Sequence, residues 1–391
     1  RGLDNANGKV LINGIEMNKQ FNGRPQWGVW GGLNDVQRNR AFTMGLKAND
    51  YTFGGLAGTT NMVMRASKFR KSGRVSFAAA NRSYKGRIMA SYHSGVSKKG
   101  WAYSFLVSKR FGNEGFIDGT LYDANSFFAS VEKIINENHS LNFLLTGAPQ
   151  WHAAAGGADI EDFLGSDRGR RYNSWNYEGV NSPNTLHGGN DVYPGGRNIY
   201  HKPVANLNWD WTINDKSSLS TVLYGSMGRG SFAQARTSGG EVTYARGSNN
   251  NHNWYGLVTN YNNQLTENLN LNIGADVRSY NGIHFRDVRE FITIDSVSNS
   301  SGYSGGETYD LTEAGGINPW EVFFNPNTDH LQRFGYDYEE QINYGGLFGQ
   351  LENSKDNFSA FFQGAVSNQS HVRTEFLNTS TPGQGEEGEK V

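Results

Sequence analysis

NSFFASVEKIINENHSLNFLLTGAP, residues 125–149, decides how the chain is read. In its first arm Phe127, Ala129 and Val131 alternate with Ser126, Ser130 and Glu132. In its second arm Leu141, Phe143 and Leu145 alternate with Asn142 and Thr146. Successive side chains on a strand point to opposite sides, so each arm predicts a strand with one apolar and one polar face. Between them INENHS (135–140) supplies the Asn and Ser that favour tight turns. The unit is a hairpin, and it recurs along the chain.

Upstream, RVSFAAANRSY (74–84), RIMASYHSG (87–95) and WAYSFLVSKRF (101–111) read as strands, the last with Trp101, Tyr103, Phe105 and Val107 on one face. Downstream, a polar connection of about fifty residues, far longer than the usual handful, leads to VANLNWDWTIN (204–214). There Leu207, Trp209, Trp211 and Ile213 alternate with Asn206, Asn208, Asp210 and Thr212. SLSTVLYGSMGRG (218–230) returns, and a second long loop is expected before NWYGLVTNYNNQL (253–265). LNLNIGADVRSY (269–280) sets Leu269, Leu271 and Ile273 against Asn270, Asn272 and Gly274. A third long loop precedes INYGGLFGQLENS (342–354), and FSAFFQGAVSNQ (358–369) is the last strand before the polar tail TSTPGQGEEGEKV.

Connection lengths alternate. VSKKGW, INENHS, INDKSS, LTENLN and ENSKDN are short, and most of the connections between them are long. Outer-membrane barrels have this asymmetry, with short periplasmic turns and long outer loops. The pattern gives about eleven strands, each long enough to cross an outer membrane at a tilt. The fold class is therefore all-β, a large antiparallel transmembrane barrel. Leu141, Phe143, Leu145, Leu207, Leu269, Leu271 and Ile273 are expected to face lipid, with Leu271 near mid-membrane.

Composition agrees. Among 391 residues there are 50 Gly, 8 Pro and no Cys, with 13% aromatics. Such a balance suits paired strands better than a helical enzyme core, and the missing cysteines exclude disulfides and thiolate sites. A net charge of −1 argues against nucleic acid as a partner. Mean hydropathy is −0.63 and no run of 18 apolar residues occurs, which excludes a transmembrane helix but not a barrel with a polar lumen.

The first 66 residues differ in texture: KVLING (9–14) is a short strand, GLNDVQRN (32–39) a candidate helical turn, and FGGLAGTTN (53–61) a glycine-rich run. No Lys-Ser or Lys-Thr follows those glycines, so they are not a phosphate loop. RGLDNANGKVLINGIEMN, WGGLND (30–35) and FGGLAGTTN resemble the plug domain of TonB-dependent outer-membrane receptors. RVSFAAANRSYKGRIMASYHSG and RFGYDYEEQINYGGLFGQ resemble the barrel of the SusC-like branch found in Bacteroidota.

The resemblance implies a 22-stranded barrel closed by an N-terminal plug in the bacterial outer membrane. Residues 1–68 would be the C-terminal part of the plug, and 69–391 the N-terminal half of the barrel. It implies a receptor, not an enzyme, that imports a scarce solute such as a glycan, peptide or siderophore. The partners implied are the TonB energy-coupling complex, outer-membrane lipid, and a SusD-like surface lipoprotein lid or other subunits of an outer-membrane complex. A non-transporting subunit of an assembly or secretion complex is the alternative. The chain carries no TonB box and stops near the middle of a barrel, so it reads as a piece of a longer protein.

In NGRPQWGVW (22–30), Arg24, Gln26 and Trp27 offer a charge, an amide and a stacking surface. The resemblance implies that such a plug loop helps bind solute; wedging the plug against the wall is the other reading. Trp101, Tyr103, Trp209 and Trp211 are candidates for the aromatic girdle at a membrane interface, against an ordinary sandwich core. The basic cluster Arg65, Lys68, Arg70, Lys71 and Arg74 is expected near the periplasmic rim. Gly302–Gly306 matches G-x-S-x-G, but within a Ser/Gly loop it reads as loop and not as a nucleophile elbow. His139, His152, His187 and His201 lack metal-ligand spacing, so no metal site is assigned to them. The acid-rich stretch 286–340 reads as a solvated loop, with calcium held on its carboxylates as the alternative.

Overall fold

The computed structural model describes residues 2–20, 22–25, 39–44, 55–180, 192–300, 308–326 and 329–377. Gln26, Trp27, His187, WGGLND, most of GLNDVQRN, the Gly302–Gly306 motif and the tail 379–391 lie outside them.

The first of two main sheets holds β1 (Gly8–Ile12), β2 (Ile15–Glu16), β3 (Asn39–Thr43) and β4 (Gly58–Val63), in the order β2-β1-β4-β3. Asn13 and Gly14 join β1 to β2 with φ of 49° and 89°, the left-handed backbone that two-residue hairpin turns require. Residues 64–71 then lead into the second, far larger sheet.

That sheet is antiparallel. It takes β5 (Ser72–Ala79), β6 (Gly86–His93), β7 (Trp101–Gly112), β8 (Tyr122–Ile134), β9 (His139–Gly147) and β10 (Gln150–Ala153). After β11 (Asn176–Glu178) and β12 (Val192–Pro194), which pair with each other, it continues through β13 (Gly196–His201), β14 (Val204–Asn214), β15 (Ser217–Ser238), β16 (Glu241–Gln264) and β17 (Leu269–Phe291). A separate pair, β18 (Val297–Asn299) and β19 (Tyr309–Leu311), precedes β20 (Asp337–Lys355) and β21 (Phe358–Glu375). Two short helices, α1 (Ile160–Gly165) and α2 (Pro319–Phe324), lie in the connections.

β9 and β10 are one strand interrupted at Pro149, and β13 and β14 are one strand interrupted at Pro203. The two breaks face each other: Thr146 pairs with Val204 below them and Gln150 with Tyr200 above, in an unchanged register. Proline has no N–H to give the ladder, so pairing lapses there and resumes. The 13 strand segments of the sheet therefore form eleven physical staves.

The two faces of the large sheet differ as the alternation requires. On the concave face, Leu106, Phe128, Leu144, Val222 and Val258 are buried against Val10, Ile12, Ile15, Met17, Met62 and Met64 of the small sheet. Ser130, Asn142, Asn206, Asn208 and Asn272 are also buried on this side. On the opposite face Val75, Phe77, Val107, Phe143, Leu207, Leu223, Ile273, Leu347, Phe362 and Val366 are exposed. Among the described residues no second sheet covers them, and they form a continuous apolar belt. This is an outer-membrane β-barrel fold; the small sheet, termed the plug for its position, packs against the concave face of the large one.

Three expectations are corrected. The long loop placed before residue 253 is strand: β15 and β16 run 22 and 24 residues and meet at Gly239–Gly240, where φ is 57° and 87°. The stretch 286–340 is not wholly a solvated loop, because Asp287 and Glu290 belong to β17 and Asp337 and Glu340 to β20, all four buried. Arginines make this burial tolerable: Arg289 pairs with Asp287, Arg197 with Glu290 at 2.7 Å and Arg333 with Asp337 at 2.9 Å. Leu271 is only the third residue of β17, just past a short turn, so it lies near the rim and not at mid-membrane. The basic cluster sits at the short-turn end. Arg65 pairs with Asp210 at 2.8 Å, and the Ser67 N–H donates to Glu132 Oε2 at 2.8 Å.

Candidate ligand cavity between the plug and the barrel wall

The same alternation that buries the plug builds a cavity beside it. Asn198 and Tyr200 on β13, Lys202 in the break that follows it, Ser226 on β15, His252 and Trp254 on β16, and Arg278 and Tyr280 on β17 line the concave side. The plug segment Met17, Asn18, Lys19 and Gln20 closes the other side, leaving a cavity of about 320 Å³. Gly228 makes room for one wall: a Cβ there would strike the His252 ring.

Its electrostatics are one-sided. Lys19, Lys202 and Arg278 contribute cations, while among the described residues no carboxylate lines it. Burial, followed by the charge of Arg24, holds the Lys19 ammonium below the ordinary lysine range. Arg278 lies 5.2 Å from the ring centres of both Tyr224 and Trp254, a cation–π stack. Lys202 Nζ donates to the Asn250 carbonyl at 3.3 Å. Tyr200, Trp254 and Tyr280 add flat surfaces, so the lining suits an anionic solute with planar or apolar parts.

Arg24 stands at the plug surface, paired with Asp4 at 2.7 Å, and reaches this region through its main chain, whose carbonyl accepts from Lys19 N–H at 3.2 Å. Trp101 and Tyr103 stack on the exposed face near the short-turn end of β7, with centroids 6.1 Å apart. Trp209 and Trp211 stack at 5.9 Å near the short-turn end of β14, with His139 5.9 and 5.7 Å away. Both pairs therefore occupy the same rim. His152 stacks on Tyr122 at 5.1 Å, and His201 is buried beside Phe323 at 4.6 Å. Among the described residues no three His, Asp or Glu side chains gather in metal-binding geometry. The apolar alternation does not single out the cavity residues, because Tyr200, His252, Trp254 and Tyr280 sit at the alternate, lumen-facing positions.

No family model and no curated protein matches the sequence. Solved structures do match the fold. The unliganded ferric citrate transporter FecA gives a TM-score of 0.60 at 13% identity, covering 96% of this chain and 51% of FecA. P. aeruginosa FpvA, in complex with a heterologous ferripyoverdine, gives 0.62 at 12% identity, covering 97% and 47%. The ferric-catecholate import receptor Fiu from E. coli K12, in its open form, gives 0.56 at 13% identity, covering 100% and 58%. These are TonB-dependent outer-membrane receptors, not enzymes. The chain spans about half the length of each.

Proposed function

We propose that this chain is part of an outer-membrane importer that captures an anionic solute between plug and barrel wall and releases it when the plug moves, driven by TonB. The cavity carries this reading. Plug residues form one side of it, so any displacement of the plug must reshape it. Its cations and aromatic rings would hold an anion with planar groups. The fold is that of the ferric citrate transporter FecA, the pyoverdine-bound FpvA and the ferric-catecholate import receptor Fiu, and an anionic iron chelate of that kind suits this lining better than a neutral glycan. Arg24, with Gln26 and Trp27, would extend the site on the plug side. Trp101, Tyr103, Trp209 and Trp211 would mark the periplasmic edge of the membrane.

The test is binding and uptake by the whole protein. Lys202→Gln and Trp254→Leu are each expected to weaken binding of ferric citrate or a ferric catecholate about ten-fold or more, with the barrel still folded. Uptake is expected to stop when TonB is removed. Unchanged binding in both variants would take the cavity out of the reading, and TonB-independent uptake would remove the coupling.

A further inference from the structure

The tall part of the sheet is covered on its outer side. Ile199, Ala233 and Ala245 alternate along their strands with the residues that face the plug, so they point away from it, yet all three are buried. They pack in one cluster with Ile317 and Val322, from the connection between β17 and β20. That connection is also pinned by hydrogen bonds: Gly315 N–H donates to Val288 O at 2.8 Å, Arg289 Nη1 to Gly315 O at 3.1 Å, and Asn251 Nδ2 to Pro326 O at 3.3 Å. The loop thus folds back down the outside of the wall. Its descent ends at α2, where Phe323 is buried against His201 at 4.6 Å.

The height of α2 can be read from the register. His201 pairs with Arg229, about a dozen residues up β15 from its short turn. At about 3.3 Å per residue and a tilt of about 40°, that is roughly 30 Å, the thickness of a hydrocarbon core. The apolar belt ends at the same level, with Met227 and Tyr255 exposed on the outer face. Just above them come Asn251, Asn249 and Ser231. From α2, Trp320 and Phe324 are 41% and 75% exposed, with ring centres 6.3 Å apart.

We infer that α2 is a lipid anchor: Trp320 and Phe324 insert at the headgroup–acyl boundary of the outer leaflet and hold the β17–β20 loop down on the membrane. Lipid is the occupant because the two rings continue the belt at its upper edge, on the same face and at the depth where aromatic side chains prefer to lie. The polar Asn318, Glu321 and Asn325 of the same segment suit that boundary rather than the hydrocarbon. The four aromatics of the opposite rim then have part of their counterpart in a loop, beside Tyr255 of β16.

The chain has no cysteine, so single spin labels can be placed at chosen positions within it, in the whole protein in lipid vesicles with any cysteine elsewhere replaced by serine. A nitroxide on Phe324→Cys is expected to favour oxygen over a water-soluble nickel chelate, like one on Tyr255→Cys in the belt. One on Leu331→Cys, farther along the same loop and 52% exposed, should show the reverse. Nickel access at Phe324 matching Leu331 overturns the inference, and so does shielding from both reagents, which would mean a protein covers α2. Should Phe324→Cys not fold, brominated acyl chains provide the second test: they should quench emission that Trp320→Phe lacks. Equal quenching in the two proteins overturns the anchor.

Discussion

Nη2 of Arg278, on the concave face of β17, donates to the main-chain carbonyl of Glu16 in the plug at 2.8 Å. The same guanidinium donates from Nε to Tyr224 Oη at 2.9 Å. One buried cation thus joins wall, cavity lining and plug backbone. A lysine could keep the charge, but neither the forked donors nor the planar stack.

Arg278→Lys is therefore expected to loosen the plug selectively. A charge-assisted hydrogen bond is worth about 1.5–3 kcal/mol, enough to speed local opening of β2 by roughly ten-fold or more. Hydrogen exchange should rise at Ile15, Glu16 and Met17, while β16 and β17 keep their protection. Unchanged exchange in β2 would show that apolar packing alone holds the plug.

Depth along a strand predicts a graded response to charge. Leu223 lies in the middle of the belt and is 54% exposed, so Leu223→Lys should cost about 2–4 kcal/mol. Leu271→Lys, at the rim, should cost about 0–1 kcal/mol. Unfolding in vesicles measures both; equal penalties would mean that the belt is not arranged by depth as described.

Much of this was legible in the sequence, for a physical reason. Alternation in Phe143/Asn142 or Leu207/Asn208 fixes which face meets lipid, and short polar turns such as INENHS fix which end is which. Strand height was not legible. Beyond the belt the outer face of β16 carries Asn249, Asn251 and Asn253, so the apolar–polar contrast fades and strand looks like loop. Nor was the burial of Asp287 and Glu290, since their arginine partners Arg289 and Arg197 owe their positions to a bulge and to a distant strand. The cavity depends on which lumen positions the plug leaves open, and that is a property of two sheets together.

Acid should release the connection between β7 and β8 from the α1 region. Asp118 accepts from Arg168 Nε at 2.5 Å and Arg171 Nε at 2.8 Å. Burial works to raise its pKa, but these guanidinium bonds outweigh it and hold the carboxyl below the ordinary aspartate range. A depressed folded value means the stabilisation is complete above the unfolded pKa of about 3.9 and is lost as pH falls through the folded value. Trp175 reports it, because its N–H donates to Asn173 Oδ1 at 3.0 Å and Asn173 Nδ2 to the Asp118 carbonyl at 2.8 Å. The emission difference from Trp175→Phe should be flat from pH 7 to 5 and change below about pH 4. Asp118→Asn should abolish that transition; its persistence would place the titration elsewhere.

Glu290 gives the sharpest test of the outer face. Its Oε2 accepts from Arg197 Nη2 at 2.7 Å and from Tyr193 Oη at 2.8 Å, with the arginine and carboxylate side chains 2% and 1% exposed. Removing one member of a buried pair strands the other charge, so Arg197→Leu should cost about 3–5 kcal/mol. Removing both, as Arg197→Leu with Glu290→Leu, trades two desolvated ions for apolar contact and should recover most of that loss. A stranded Glu290 would be driven toward its neutral form, so the deficit of the single variant should shrink as pH is lowered, while the double variant shows no such trend. Urea unfolding in vesicles, read by hydrogen exchange at β13, separates the outcomes. A double variant as unstable as the single would mean that Arg197 matters through packing against Tyr193, 4.6 Å from its ring centre, and not through the charge of Glu290.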